Sequence, residues 1–471
     1  MKVLAKKALF AAITALLISN SCPTPSFAQS DQPSSWAKED VSEAWDRLLV
    51  PTELNIQYQL ALTRAQFGEM AIQLYEVLTN RKAVAPGKNP FRDMNNYRVL
   101  QAYELGIVKG TSSTTFSPNT EVNREQLALM LYNTLKKAGL ANKLEADLGD
   151  VPRFADDKQI SSWSRDAIKI LNGSQLMKGS AFKDQIWFMP KTTTTREQAI
   201  VLVNRIYEKY GTYYVNNEYD LMHAFELNQN LPIVIMDARS KQIYEKAKSI
   251  LGAIIKPGMS EYDRELAIHN YLLLHLAYDY ENYKNGTIPD DSYTIYGALF
   301  KGIAVCQGYA YSAKLLLSMA GIETHIVTGT AKGIAHAWNK VKIGGSYYNL
   351  DVTWDDPVPD VDGRLAYGYF NVTDEELERD HIWSDDLPKA LASASNYFVY
   401  NGLTVASASE FEARVIAAIQ VQASTITLKR TYKNAQGAND WYALISRFPE
   451  VAKYSYTTDN SGVVSFTFIY R

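Results

Sequence analysis

The chain is poor in cysteine, with two in 471 residues. Cys22 lies in the N-terminal segment, so Cys306 is the one thiol left for the body of the protein. A lone thiol cannot close an internal disulfide, which excludes a disulfide-stapled scaffold. Charge of one sign is also lacking: 48 Lys and Arg stand against 51 Asp and Glu, a formal net charge of -3. Phosphate backbones need clustered Lys and Arg, and no such block follows the first residues, so nucleic acid is not an expected partner. Beyond the N-terminus there is no apolar run long enough to span a membrane. What remains is a globular composition, 46% hydrophobic, which is enough for sizeable cores. The length fits about three domains. The 31 tyrosines suit polar, glycan-binding surfaces, and core and strand packing equally well.

The first residues read as an export signal. Lys2, Lys6 and Lys7 precede a short apolar run from Leu9 to Ile18, and Ser26-Phe27-Ala28 offers small residues at a cleavage site. A mature start at Gln29 follows. The rival reading is a lipid anchor on Cys22, but Ser19-Asn20-Ser21 lacks the aliphatic residue such a signal carries. The expectation is an exported protein with no integral membrane segment after processing.

Three segments then end alike: Leu62-Thr-Arg-Ala-Gln-Phe67, Val122-Asn-Arg-Glu-Gln-Leu127 and Thr194-Thr-Arg-Glu-Gln-Ala199. Thr63, Asn123 and Thr195 stand three residues before Gln66, Gln126 and Gln198, the spacing of a capping box. An amphipathic run follows each cap, for example Phe67, Met70, Ala71 and Leu74. Upstream, Phe91-Arg-Asp93 matches Phe154-Ala-Asp156, Leu105 to Gly110 loosely matches Leu176 to Gly179, and Phe116-Ser-Pro118 matches Phe188-Met-Pro190. The pattern resembles three S-layer homology modules over roughly residues 35–210. The first repeat keeps Trp36-Ala37 and Thr63-Arg64 but lacks the Gly and Phe-x-Pro elements. The resemblance implies attachment to a bacterial cell wall through an acidic secondary wall polymer. It also implies that Trp163, matched by Tyr97 in the second repeat, belongs to the binding surface. Arg64, Arg124 and Arg196 each open a helix, where free N–H groups and the dipole favour an anion. The alternative is that they pair with acidic side chains of a neighbouring module.

Residues 211–245 read as a bridge, with strands at Thr212–Val215 and Pro232–Met236 around a helix from Glu218 to Leu227. The C-terminus repeats that order: a strand at Tyr397–Tyr400, a helix near Ser407–Ile419 and a strand at Thr425–Leu428. Between them, helices at Ser240–Ile255 and Ser260–Leu276 lead to the cysteine segment.

From Cys306 to Ala320 the apolar spacing is helical, and Gly321 ends the run as a C-cap glycine does. Cys306 therefore sits at the first turn, where the dipole favours a thiolate. Gly308 lets a substrate backbone come close. Taken alone, Cys306 reads more readily as a buried inert cysteine, and it is its partners that shift the reading. His336, Trp338 and Lys340 share one face of a strand, and Tyr347, Asn349 and Asp351 share a face of another. Gly344-Gly345 between them is a hairpin turn. That turn pairs Trp338 with Asp351 and makes His336 the diagonal neighbour of Asp351, within reach of an imidazole and a carboxylate. Thiol nucleophile, base and orienter are then Cys306, His336 and Asp351. His336, Asp351, Asp355, Asp356 and His381 can also be drawn as metal ligands. Their spacing matches no tight zinc pattern, and Asp355-Asp356-Pro357 reads as a turn, so no metal and no cofactor is expected.

Val305-Cys-Gln-Gly-Tyr-Ala310, Gly321-Ile322, His336-Ala-Trp-Asn339 and Tyr348-Asn-Leu-Asp-Val-Thr-Trp-Asp-Asp-Pro357 resemble the transglutaminase-like domain of the papain-like superfamily, over about 260–385. The resemblance implies acyl transfer through a thioester, on a protein or peptide amide, with Cys306 as nucleophile. Oxyanion donors stay open among the Cys306 N–H, Tyr278 and Tyr293. Protease, deamidase and cross-linking transferase all fit, and so does a non-catalytic surface scaffold. The expected fold class is α+β. The expected segments are a signal peptide at 1–28, three helical modules at 29–210, a bridge at 211–245, a papain-type α+β domain at 246–392 and a small α/β unit at 393–471.

Overall fold

The computed structural model describes residues 32–146, 151, 153–227, 231–356, 358–361, 363–384, 387–432, 441–459 and 461–471. The export signal, with Cys22, lies outside the described residues. The chain divides into two compact units: Ala83–Val203 with the chain up to Gln73, and Asn204–Arg471 with Leu74–Lys82. Helices and strands are mixed along the chain, and most strand pairings are antiparallel, the α+β class.

In the first unit the repeats are joined by backbone hydrogen bonds. Thr63, Asn123 and Thr195 cap the helices Arg64–Thr79, Arg124–Lys137 and Arg196–Tyr210. Gln66, Gln126 and Gln198 reach back to the cap N–H groups. The residue before each cap donates to the next repeat. Val122 N–H bonds Leu62 O, Leu62 N–H bonds Thr194 O, and Thr194 N–H bonds Val122 O, each at 2.9 Å. The three bonds close a ring. Asp93 and Asp156 accept the two N–H groups of the Phe-x-Pro turns, from Phe116 and Ser117 and from Phe188 and Met189. Ser117 and Met189 have positive φ, 60° and 57°. The first repeat makes the same turn with Ile56-Gln57-Tyr58, where Gln57 has φ 54°.

In the second unit, helix α1 (Glu261–His275) packs on helix α2 (Cys306–Met319), which in turn packs against a four-stranded antiparallel sheet. Its strands are β1 (Thr324–Ala331), β2 (Ile334–Ile343), β3 (Ser346–Leu350) and β4 (His381–Trp383), in the order β4-β1-β2-β3. Ser260 and Asp263 form a capping box at the start of α1, and Gly321 at φ 77° follows α2. Ile343 pairs with Ser346 and Asn339 with Leu350, so the hairpin register is the one its glycine turn implies. Leu315, Leu316 and Leu317 of α2 share a core with Val341, Ile343 and Leu350. Residues 211–245 form the parallel strand pair Tyr213–Val215 and Ile233–Ile235 around the helix Glu218–Leu227. Val215, Leu221 and Met222 enter the same core, so this stretch builds the domain rather than merely joining it.

The C-terminal stretch differs from expectation at its first element. Tyr397–Tyr400 is a helical turn, not a strand. Asn396 caps it, Phe398 is buried, and Tyr400 stacks on Tyr262 of α1 with centroids 3.8 Å apart. These contacts override the strand preference of an aromatic run. A helix at Ala408–Gln420 then packs on a four-stranded mixed sheet.

One carboxyl in α1 is buried at a cost. Glu265 is fully buried, and burial pushes its pKa up to about 8 even though Asn371 Nδ2 donates to it at 2.7 Å. Between the ordinary glutamate value and about 8 the folded chain holds a proton that the unfolded chain has lost, so stability falls as pH rises through that window. Glu265→Gln, always neutral, should raise the melting temperature by several degrees at pH 8.5 and change it little at pH 5; equal effects at both pH values in thermal melts would refute this account.

Candidate functional site

Cys306 is the first residue of α2, and its approach is set by two short strands. Ile303-Ala304 pairs in parallel with Ala277-Tyr278, and Val305 N–H bonds Ser292 O at 2.8 Å. Gly308 has a different role from the one expected. A Cβ there would lie 2.8 Å from Ser292 O and from Ala304 Cβ, so the glycine lets α2 seat against its own loop rather than admit a substrate.

His336 lies on β2 and Asp351 just past β3. Their side chains meet, with His336 Nε2 2.7 Å from Asp351 Oδ2. The bond occupies Nε2, and Cys306 lines the same cleft as the ring, close enough to act on its charge. Burial alone would lower the His336 pKa; the charge and hydrogen bond of Asp351, with Cys306 adding to them, raise it to about 10. Burial would raise Asp351, but the two neighbouring imidazoles hold it down at about 2. Asp351 also accepts the Trp354 N–H at 3.2 Å, capping the short helix Val352–Asp355. The three residues singled out from the sequence are therefore brought together.

A second histidine reaches the same carboxylate. His381, on β4, places Nε2 3.1 Å from Asp351 Oδ2. Sequence reasoning counted it only as a possible ligand, because 30 residues separate it from Asp351 and no local periodicity links them. The donor atoms of His336, Asp351 and His381 lie within 4.8 Å of one another. Ligands at about 2.0–2.1 Å from a tetrahedral ion stand about 3.3 Å apart. The observed 2.7 and 3.1 Å are shorter, as expected of a hydrogen-bonded array.

Asp355 and Asp356 are not an exposed turn. Both are buried: Asp355 bonds His269 Nε2 at 3.1 Å and accepts the Tyr369 N–H, and Asp356 accepts the Tyr309 hydroxyl. Burial raises their pKa values to about 6 and about 7.

In front of Cys306 and His336 lies a cleft of about 670 Å³, walled by Tyr278, Tyr280, Tyr283, Tyr293 and Trp354. Lys332 sits 4.7 Å over the Trp354 ring. Tyr278 is raised in pKa by burial first and by the nearby Cys306 sulfur, so it remains a hydroxyl donor beside the nucleophile.

The helix-opening arginines of the first unit have backbone partners that neither sequence reading named. Their first-turn N–H groups are not free. Arg64 and Ala65 donate to Thr120 O and Pro118 O, Arg124 and Glu125 to Thr192 O and Pro190 O, and Arg196 and Glu197 to Leu60 O and Tyr58 O. The guanidiniums bond neighbouring backbone rather than carboxylates. Arg64 reaches Phe116 O and Lys109 O, Arg124 reaches Phe188 O and Lys178 O, and Arg196 reaches Ile56 O. Arg64 and Arg124 also stack on Phe116 and Phe188. Trp163 is half exposed, as are Trp36 and Tyr97 at the matching positions.

Comparison with known proteins finds one matching stretch in each unit. Residues 248–352 match the transglutaminase-like superfamily, and residues 91–128 match the S-layer homology domain. The chain carries both domains. It is 30% identical over 156 residues to an endoglucanase of Bacillus sp. (strain KSM-635), covering 32% of this chain and 15% of that protein. It is 25% identical over 237 residues to the surface-layer 125 kDa protein of Lysinibacillus sphaericus, covering 48% of this chain and 19% of that protein. The chain thus spans less than a fifth of either relative. A solved structure of a TGase is similar over 25% of this chain and 31% of its own, at 23% identity and a TM-score of 0.21. Among the described residues, no helix is long and apolar enough to cross a membrane.

A protonated imidazole beside a thiol stabilises the sulfur anion. At pH 6, iodoacetamide should alkylate Cys306 at least about tenfold faster than a free cysteine, and His336→Ala should abolish the advantage; equal slow rates, read by peptide mass spectrometry, would leave the thiol inert.

Proposed function

We propose that this protein is a cell-surface cysteine acyltransferase or peptidase that cleaves amide bonds through a thioester on Cys306. The observation that carries the reading is the His336 ring, bonded to buried Asp351 at 2.7 Å through Nε2 and lining one cleft with Cys306. Ionised groups are costly to bury unless paired, and a mere scaffold has no use for such a pair behind a partly exposed thiol.

The steps follow from these positions. The Cys306 sulfur adds to the amide carbon, forming the C–S bond and an oxyanion. The Cys306 N–H at the head of α2 and the Tyr278 hydroxyl are the donors that would meet that oxygen. The His336 imidazolium gives its proton to the leaving amine as the C–N bond breaks, leaving a thioester. His336, now neutral, takes a proton from water or from an acceptor amine. That nucleophile displaces the sulfur and restores the ion pair. Water gives hydrolysis, and an amine gives transfer. Asp351 holds the ring in one tautomer throughout. The aromatic cleft, with Lys332 as its cation, supports a protein or peptide substrate carrying apolar side chains beside the attacked amide.

The S-layer homology domain supports attachment to an acidic wall polymer. Trp36, Tyr97 and Trp163 are the exposed rings that would stack on it. The arginines, half-buried where the repeats meet, would add positive charge beside the polymer.

Full-length protein incubated with candidate peptides should gain an acyl mass on Cys306. Asp351→Asn should slow turnover by about 10²–10⁴-fold, and Cys306→Ala should carry no adduct; an adduct on Cys306→Ala would refute the assignment. The full chain should also co-sediment with purified wall sacculi. Changing Trp36, Tyr97 and Trp163 together to Ala should release it without lowering its melting temperature. Undiminished binding would count against these rings.

A further inference from the structure

We propose that His381 is a positioning residue that locks Asp351 onto His336, with Asp380 and Tyr369 as its own clamp. The inference rests on the acyl-transfer reading of Cys306 and His336. Two imidazole N–H groups converge on one oxygen, Asp351 Oδ2, His336 at 2.7 Å and His381 at 3.1 Å. The other oxygen takes the Trp354 N–H. Asp351 is thus held from three directions, and its side chain is wholly buried. With His336 alone the carboxylate could follow the ring when it swings toward the sulfur or the leaving group. A second bond from the opposite strand anchors it.

His381 is itself restrained. Its Nδ1 lies 2.6 Å from Asp380 Oδ1, and the Tyr369 hydroxyl donates to Asp380 Oδ2 at 2.6 Å. Both ring nitrogens therefore face carboxylate oxygens. The result is a line of hydrogen-bonded groups from His336 through Asp351, His381 and Asp380 to Tyr369, with Cys306 lining the cleft beside His336. The Trp338 and Trp354 rings close on His381 at centroid distances of 5.1 and 4.7 Å, which leaves the imidazole little freedom to turn. His381 is 1% exposed and cannot touch a substrate, so its action runs through Asp351.

The backbone is shaped to deliver it. β4 joins the sheet beside β1, pairing His381 with Ala331 and Trp383 with Gly329. A Cβ on Gly329 would stand 2.1 Å from Ile382 O, so only glycine permits this approach. Gly329 also pairs with His336 on its other side, which fixes the spacing of the two imidazoles. Their centroids lie 5.4 Å apart.

The test reads Cys306 alkylation by iodoacetamide between pH 5 and 9, which needs no substrate. His381→Leu keeps the bulk and removes both nitrogens. His381→Gln keeps an N–H donor near the Nε2 position. His381→Leu should lower the rate at pH 6 by about tenfold and shift the pH profile, and His381→Gln should recover to within about threefold of wild type. Thermal melts establish that each variant is folded. If His381→Leu does not fold, Asp380→Asn and Tyr369→Phe, which loosen the clamp from outside, should each reduce the pH 6 rate. A folded His381→Leu, or in its place a folded Asp380→Asn with a folded Tyr369→Phe, that alkylates as wild type overturns the inference. A folded His381→Gln as slow as His381→Leu also overturns it. Wild-type protein no faster than His336→Ala would sink the acyl-transfer reading, and this inference with it.

Discussion

A carboxylate with no access to water organises the second unit. Removing a charge from solvent costs several kcal/mol or more, and the cost is met only by good partners. Asp351 has two imidazoles and one backbone N–H. That supply holds its pKa near 2 against burial and lifts His336 to about 10. One hydrogen bond therefore does two things: it keeps the carboxylate ionised where it is buried, and it keeps a proton on the ring that faces the sulfur. The architecture around it, with α2 aimed at the hairpin and β4 drawn in over Gly329, can be read as what that bond requires.

The contrast with the next carboxylates makes the point. Asp355 and Asp356 lie four and five residues along the chain and are also buried. Asp355 has one imidazole and one N–H, Asp356 has a phenol, and burial carries them up to about 6 and about 7. Residue type and local sequence barely distinguish the three. The number and charge of hydrogen-bond donors do. A group that has to stay ionised at neutral pH needs the richest supply, and Asp351 has it.

The first unit answers a different demand. Each repeat leaves unsatisfied N–H groups at the start of its long helix, and the neighbouring repeat covers them with carbonyls. Because three repeats close on themselves, no repeat is left with an open end at that joint. The Phe-x-Pro turn presents those carbonyls and the Phe-x-Asp aspartate holds the turn. In the first repeat Ile56-Gln57-Tyr58 does the same with other side chains. The price appears at Arg196, whose Nε finds no acceptor among the described residues.

Several features were legible in the sequence because they depend on near neighbours. The caps at Thr63, Asn123 and Thr195, the helix beginning at Cys306, and the register across Gly344-Gly345 that brings His336 to Asp351 all follow from spacings of a few residues. Four others were decided by contacts between distant segments, which no local pattern encodes. Tyr397–Tyr400 coils because Tyr262 receives Tyr400. Gly308 is small because Ser292 lies against it. The repeat arginines lose their free helix ends to another repeat's carbonyls. His381 joins Asp351 only because β4 folds back beside β1. Short-range chemistry selected the groups that can react; which buried carboxylate keeps its charge depended on where the chain, once folded, brought its hydrogen-bond donors.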